Sequence, residues 1–139
     1  MNKTAGDRFL LENQLDSAIQ EYRQAIQIHA SAACYFNLAI AYFQGGRPQE
    51  AATCLERAVE MTPDDAEALY DLACLRLREG QFDAAESFFQ KAAHLPEPIF
   101  KTRSAQALEW IRELKTASPE DRIAVLSLLQ RLSAVLPGF

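Results

Sequence analysis

The sequence of 139 residues predicts an all-α solenoid, in which pairs of helices stack one on the next. Three observations lead to this fold class. Small residues recur at a near-constant interval along the first two thirds of the chain. Apolar residues recur three and four positions apart, which is typical of one face of a helix. Glycine or proline interrupts this pattern within most units and at their ends.

The repeat interval is clearest from the alanines, since Ala18, Ala51 and Ala85 follow one another at an almost constant spacing. The same offsets align four further columns: two of small residues, one of bulky residues and one of turn residues. These columns are Gly6, Ala39 and Ala73; Ala25, Ala58 and Ala92; Tyr22, Leu55 and Phe89; and Asn13, Gly46 and Gly80. Agreement of five columns at one period predicts three structural units.

Each unit is predicted to be a pair of helices joined by a turn. In the second unit Gly46 ends the first helix, because glycine readily adopts the left-handed conformation that terminates many helices. Pro48 is a favourable first residue for the second helix, and Pro63 ends that helix. Asp64, with Glu67 three residues later, is an acidic variant of the capping box and opens the third unit.

These signals divide the chain into repeats over about residues 1–96 and a C-terminal segment, 97–139, that does not continue the repeat. The three units cover about residues 1–31, 32–65 and 66–96. In the first unit the turn is expected at Asn13, which stands in the column of Gly46 and Gly80.

Two further helices are predicted in the C-terminal segment, over about residues 98–115 and 119–135. The first would cap the stack, whose last unit otherwise exposes its stacking face. The second follows the start signal Ser118-Pro119 and is apolar on most sides, as buried helices are. Three interpretations of this second helix stay open: a further capping helix, a dimer contact, or a helix folded into the groove of its own chain.

With its period and small-residue columns, the sequence resembles the tetratricopeptide repeat (TPR) family, whose helix–turn–helix unit has about 34 residues. The resemblance covers about residues 2–95, and the second unit matches best. The matching residues there are Asn37-Leu38-Ala39, Tyr42, Gly46, Ala51, Leu55, Ala58 and Pro63. The resemblance implies a right-handed α-solenoid of about three helix pairs, whose first helices line a concave groove. Pro48 and Arg76 depart from the family pattern, which prefers aromatic residues at both positions.

Composition and charge narrow the class of function. A net charge of -5 offers no basic face for nucleic acid. No stretch approaches the roughly 20 apolar residues that a membrane span needs. The N-terminus lacks a signal-peptide pattern, and three cysteines, an odd number, fit no disulfide framework. We therefore expect a cytoplasmic protein.

The sequence contains no pattern that predicts catalysis, a metal site or a cofactor. The HExxH, GxSxG, P-loop and CxxC motifs are absent from it. His29 and His94 fall near the ends of equivalent helices, where we expect them to be turn residues and not parts of one site. The cysteines fall at different repeat positions, and only Cys74 is expected in the groove, where a reactive thiol is an alternative to a structural one. The chain is therefore not expected to be an enzyme.

The resemblance places a candidate groove on the first helices of the units, on the side away from the small residues. The predicted groove residues are Lys3, Asp7, Leu10, Phe36, Asn37, Ile40, Phe43, Gln44, Glu67, Tyr70, Asp71, Cys74, Leu77 and Arg78. Five of them are expected to be exposed apolar anchors: Phe36, Ile40, Phe43, Tyr70 and Leu77. Exposed apolar patches of this kind usually mark a binding site. The alternative is that the last helix covers them.

The charge of the groove residues limits the charge of the ligand that can bind. Some members of the family grip the acidic C-terminal tails of chaperones with Lys, Asn and Arg side chains. Lys3 and Asn37 match that set, but Asp7, Glu67 and Asp71 replace its Asn, Lys and Arg. Three carboxylates would repel a carboxylate ligand, so an acidic chaperone tail is not expected to bind.

The sequence thus predicts a scaffold or adaptor that holds an apolar, neutral-to-basic segment of another protein, extended or helical, in its groove. One alternative is an assembly module, such as a homodimer, that associates through the apolar C-terminal helix. A second is a chaperone for an apolar segment of a secreted or assembling subunit.

Overall fold

A computed structural model describes residues 3–135 of the chain and the side chains of residues 14–127. Within residues 3–135 it contains seven α-helices and no strand, which confirms the predicted all-α class. The helices are α1 (Lys3–Ile28), α2 (Ala32–Gln44), α3 (Pro48–Met61), α4 (Ala66–Arg78), α5 (Phe82–Ala93), α6 (Pro98–Thr116) and α7 (Pro119–Val135). The chain divides into two compact units, Met1–Pro63 and Asp64–Phe139.

In the first unit, α2 packs against both α1 and α3. The predicted small residues of α2 and α3 are buried, with Ala39 and Ala51 almost fully removed from solvent. Because alanine has a short side chain, the backbones of paired helices approach closely at these positions. Tyr42 and Leu55, also buried, fill the space beside them.

The turns after α2 and α4 are closed by glycines with positive φ, as the sequence predicts. Gly46 has φ 75° and Gly80 has φ 78°, a conformation that costs glycine little. The N–H of Gly46 donates to Phe43 O at 3.1 Å, and the N–H of Arg47 donates to Tyr42 O at 2.8 Å. This pair of bonds is a Schellman motif, which satisfies carbonyls at the end of the helix.

The first unit departs from prediction in its first helix. α1 is a single helix of 26 residues that runs through Asn13, so the predicted turn at Asn13 is wrong. Asparagine tolerates the left-handed conformation but does not require it, and no glycine or proline lies near it to end the helix. The helical hydrogen bonds therefore continue where Gly46 and Gly80 interrupt them.

The start of α4 also differs in detail. The N-cap is Asp65, whose carboxylate accepts a hydrogen bond from the N–H of Ala68 at 3.2 Å. The predicted cap, Asp64, lies one residue too early for this geometry, because the N-cap side chain reaches the amide two or three residues ahead.

In the second unit, α5 packs against α4 and α6, and its Phe89 lies fully buried in the shared core. In α6, Ala107 follows Ala73 at the same interval at which Ala73 follows Ala39, and all three alanines are buried. Its outer residues Gln106 and Glu109 are exposed and polar, as expected for a helix that ends a stack. The predicted boundary after residue 96 therefore falls inside the second compact unit.

The last helix, α7, packs against α6 and α4 of its own chain. Ser118 caps it as the sequence predicts, since its hydroxyl accepts from the N–H of Asp121 at 3.2 Å and donates to the Asp121 carboxylate at 2.8 Å.

Candidate functional site

The candidate groove residues of the first unit form one side of α2, which we call the α2 face: Phe36, Asn37, Ile40, Phe43 and Gln44. Asn37 and Gln44 are exposed, Phe36 and Phe43 are half-buried, and Ile40 is 39% exposed. The α2 face is fixed at both ends: the Ser31 hydroxyl accepts from Cys34 N–H, and the Gly46 turn closes the other end. α2 thus presents three partly accessible apolar side chains beside two exposed polar ones.

In the second unit, two of the predicted anchors are not exposed. Tyr70 is 7% and Leu77 is 4% exposed, and both belong to the core of that unit. The Tyr70 ring lies 5.7 Å from the rings of Phe89 and Phe100. The prediction of exposed anchors at Tyr70 and Leu77 is therefore wrong. Phe100 reaches Tyr70 because α6 packs against α4 as well as α5, a contact that helical periodicity does not reveal.

The remaining α4 residues of the predicted groove are polar or small. Glu67 is exposed, whereas Asp71, Cys74 and Arg78 are partly buried. Burial, and then the Glu67 and Asp65 carboxylates, raise the pKa of Asp71 to about 7, against a weaker opposite effect of Arg103. A further anion near Asp71 would raise this pKa again, whereas a cation would lower it.

Cys74 is a structural thiol more than a reactive one. Burial raises its pKa to about 12, although a hydrogen bond from the Tyr70 hydroxyl acts in the other direction. Since the thiolate is the nucleophile, Cys74 remains protonated and unreactive at neutral pH in this arrangement. Burial likewise raises the pKa of Cys54 in the first unit.

Three predicted groove residues, Lys3, Asp7 and Leu10, lie on the part of α1 whose side chains are outside the described residues. The structure thus brings together five predicted residues on α2 and six on α4, with the two sets in different compact units.

Sequence reasoning missed the residues that hold the C-terminal helices. Arg122 Nε donates to Leu114 O at 2.6 Å, and its second nitrogen donates to Lys115 O, so the guanidinium caps the end of α6. The Lys115 ammonium reaches α5, at 2.8 Å from Asp83 and 3.1 Å from Glu86. The available signal was a basic residue in the first turn of α7, where the helix dipole favours acidic ones.

Among the residues that the structure describes, no helix is both long and apolar enough to cross a membrane. Nor do three or more His, Cys, Asp or Glu side chains gather there as metal ligands would.

Comparison with curated proteins finds relatives named β-barrel assembly-enhancing protease in Escherichia coli K12, Shigella flexneri and Escherichia coli O157:H7. Each is 32% identical over 131 residues, which is 91% of this chain and 27% of the relative. The chain therefore spans about a quarter of the length of these relatives.

Two family models match the chain, one described as a tetratricopeptide repeat over residues 36–97 and one as a TPR repeat over residues 6–46. Together they run from α1 to the end of the α4–α5 pair, which is the stretch that carries the repeated alanines and the two glycine turns. The chain belongs to the tetratricopeptide repeat family.

Proposed function

We propose that this protein is a scaffold or adaptor, and not an enzyme, that binds a segment of another protein through the α2 face. The observation that carries the proposal is the accessibility of Ile40 between Phe36 and Phe43. The opposite side of α2, by contrast, is buried in the first unit. Since burial of apolar surface drives most association between proteins, a partner that covers this side of α2 would gain binding free energy.

The partner segment is proposed to be apolar, with neutral or basic flanks. Asn37 and Gln44 border the anchors with uncharged amides, and the whole chain has a net charge of -5. A helical segment would present anchors at positions i, i+3 or i+4, and i+7.

The test compares affinity capture from the native extract with three baits: wild type, Ile40→Arg and Ile28→Arg. Ile28 is the matched control, because it is an isoleucine of the same compact unit, 87% exposed and outside the α2 face. We expect Ile40→Arg to lose a partner that wild type and Ile28→Arg both retain, with all three equally helical by circular dichroism. A partner retained equally by all three baits would remove the α2 face from consideration.

Tyr70→Arg, which the sequence alone suggests as a test, is unsuitable. Tyr70 lies in the core of the second unit, so an arginine there would bury an unpaired charge. Loss of binding in that variant would report unfolding and not the loss of a contact.

A second candidate, a chaperone for an assembling subunit, is favoured by the name of the relatives, which links those proteins to β-barrel assembly. In that role the α2 face would hold an apolar segment of a subunit until it assembles. The same two variants separate the cases: a chaperone suppresses aggregation of an unfolded β-barrel protein, with Ile40→Arg and not Ile28→Arg impaired. An adaptor leaves that aggregation unchanged.

A further inference from the structure

We propose that the chain forms a two-fold dimer through α1, in which α1 of a second copy closes an apolar seam that α2 covers only in part. The α1 seam consists of Leu15, Ala18, Tyr22 and Ala25, which recur at spacings of three, four and three residues and so share one side of the helix. The proposal concerns the first compact unit and goes beyond the function proposed for the α2 face.

The α1 seam is half-buried, whereas its counterpart in the second unit is closed. Ala18, Tyr22 and Ala25 are each partly exposed. The residues of α5 in the same repeat columns are all 0% exposed: Ala85, Phe89 and Ala92. Two alanines and one aromatic residue occupy these columns in both helices, so the difference in burial comes from the neighbouring helices and not from the residue types.

The neighbours of α5 and α1 differ by one helix. α5 packs against two helices of its unit, α4 before it and α6 after it. Of the helices described in the first unit, only α2, which follows α1, packs extensively on it. No helix precedes the seam because α1 is continuous from Lys3 to Ile28, which places residues 3–13 beyond the seam along the helix axis and not over it.

The α1 seam is complementary to itself when two copies run antiparallel. This is also the orientation of α4 against α5, since a turn of three residues, 79–81, joins those two helices. A register centred at residue 20 places Ala18 opposite Tyr22 of the second copy and Leu15 opposite Ala25, and the two-fold axis repeats both pairs. Each large side chain then meets a small one, which fills the space between facing helices without voids.

The proposed contact is small. A single pair of helices in contact over about three turns buries less than the roughly 1,200 Å² of a stable interface, so we expect a dimer that dissociates at micromolar concentration.

The first measurement is sedimentation equilibrium of the full chain between about 1 and about 200 µM, a range that brackets such a dissociation constant. We expect the mean mass to rise with concentration toward twice the 15.6 kDa of one chain. A mean mass that stays at 15.6 kDa over the whole range would overturn the proposal.

Two single variants locate the contact. Ala18→Glu and Tyr22→Lys each place a charge against an apolar side chain of the second copy, so each should weaken the dimer by about tenfold or more. The matched controls, Gln20→Glu and Gln24→Lys, introduce the same charges at exposed positions on another side of α1 and should leave the dimer unchanged. A dimer that persists in both seam variants, or that the controls weaken equally, would place the contact elsewhere and overturn the proposal.

An equimolar mixture of Ala18→Glu and Tyr22→Lys separates the loss of a contact from the loss of the fold. In the mixed dimer the new glutamate of one chain meets the new lysine of the other, and the second pair, Tyr22 against Ala18, is that of the wild type. We expect the mixture to recover most of the wild-type affinity, because the two opposite charges meet only between copies in this register. Failure to recover, with both variants helical by circular dichroism, would contradict the antiparallel seam.

The dimer and the α2 face can fail separately. Ile40→Arg, which tests the α2 face, should leave the mean mass unchanged because Ile40 lies outside the α1 seam. A monomeric chain that still loses its partner in Ile40→Arg would overturn the dimer alone.

Discussion

At Asp71, burial and the nearby Glu67 and Asp65 carboxylates hold the pKa at about 7, far above its ordinary 3.8. Between pH 4 and pH 7 the folded chain therefore keeps a proton that the unfolded chain has released. The contribution of Asp71 to stability is fully present below pH 3.8, declines as the pH rises through this window, and is lost above pH 7.

Asp71→Asn should remove this pH dependence, because asparagine has no charge to bury. We expect the variant to be more stable than wild type at pH 8, by an amount on the order of 1–3 kcal/mol, and similar to it near pH 4. Urea unfolding at both pH values measures the difference. Asp64→Asn, at an exposed neighbour, serves as the control; an equal gain from both would trace the effect to net charge.

Single residues also determine how far the sequence predicts the site. Ile40 and Tyr70 fall on corresponding helix sides in the sequence, and both are apolar. Only the fold separates them, because Phe100 arrives at Tyr70 from α6, two helices further along the chain. Periodicity identifies the side of a helix, but a contact from a distant element decides whether that side stays accessible.

Among the elements, α2 and α3 could be predicted almost to the residue. Strong signals coincide there: Gly46 with its positive φ, Pro48 as the first residue of α3, and alanines at the helix–helix seam. α1 was mispredicted because Asn13 is a permissive turn residue, not an obligatory one. Alignment in one repeat column shows that positions of different units correspond. Whether a turn forms at each position depends on the residue that stands there.

Substitution by alanine should lower the stability at Gly80, where the turn forms, and raise it at Asn13, where the helix continues. Gly80→Ala forces a side chain into φ 78° and should cost about 1–2 kcal/mol of unfolding free energy. Asn13→Ala places a better helix former inside a continuous helix and should gain a few tenths of a kcal/mol. Thermal unfolding of both variants is the measurement. A loss at Asn13 as large as that at Gly80 would show that the chain turns there in solution.

For the whole molecule, the net charge of -5 sets a preference that no single pair of residues creates. It favours encounter with neutral or basic segments and opposes acidic ones, and both effects weaken as salt screens the charges.

We therefore expect the affinity for the captured partner to fall as NaCl is raised from about 50 to about 500 mM, since the Debye length shortens from about 14 Å to about 4 Å. Glu60→Lys, at an exposed glutamate of the same compact unit as the α2 face, makes the net charge less negative; it should weaken binding further at low salt and have little effect at high salt. Affinity that rises with salt would instead indicate a purely apolar partner.

The repeat step from Ala39 to Ala73 continues to Ala107 in α6, although the repeat pattern in the sequence has faded by then. Ala107 in α6 therefore keeps the spacing of the alanines in the earlier helices. The exposed polar residues Gln106 and Glu109 of α6 are what distinguishes it as the end of the stack. A second copy of residues 64–97 inserted before Pro98 would present α6 with the α5 surface it already packs against. The number of helix pairs in this protein can therefore be increased by duplicating one segment, and α6 would still cap the lengthened stack.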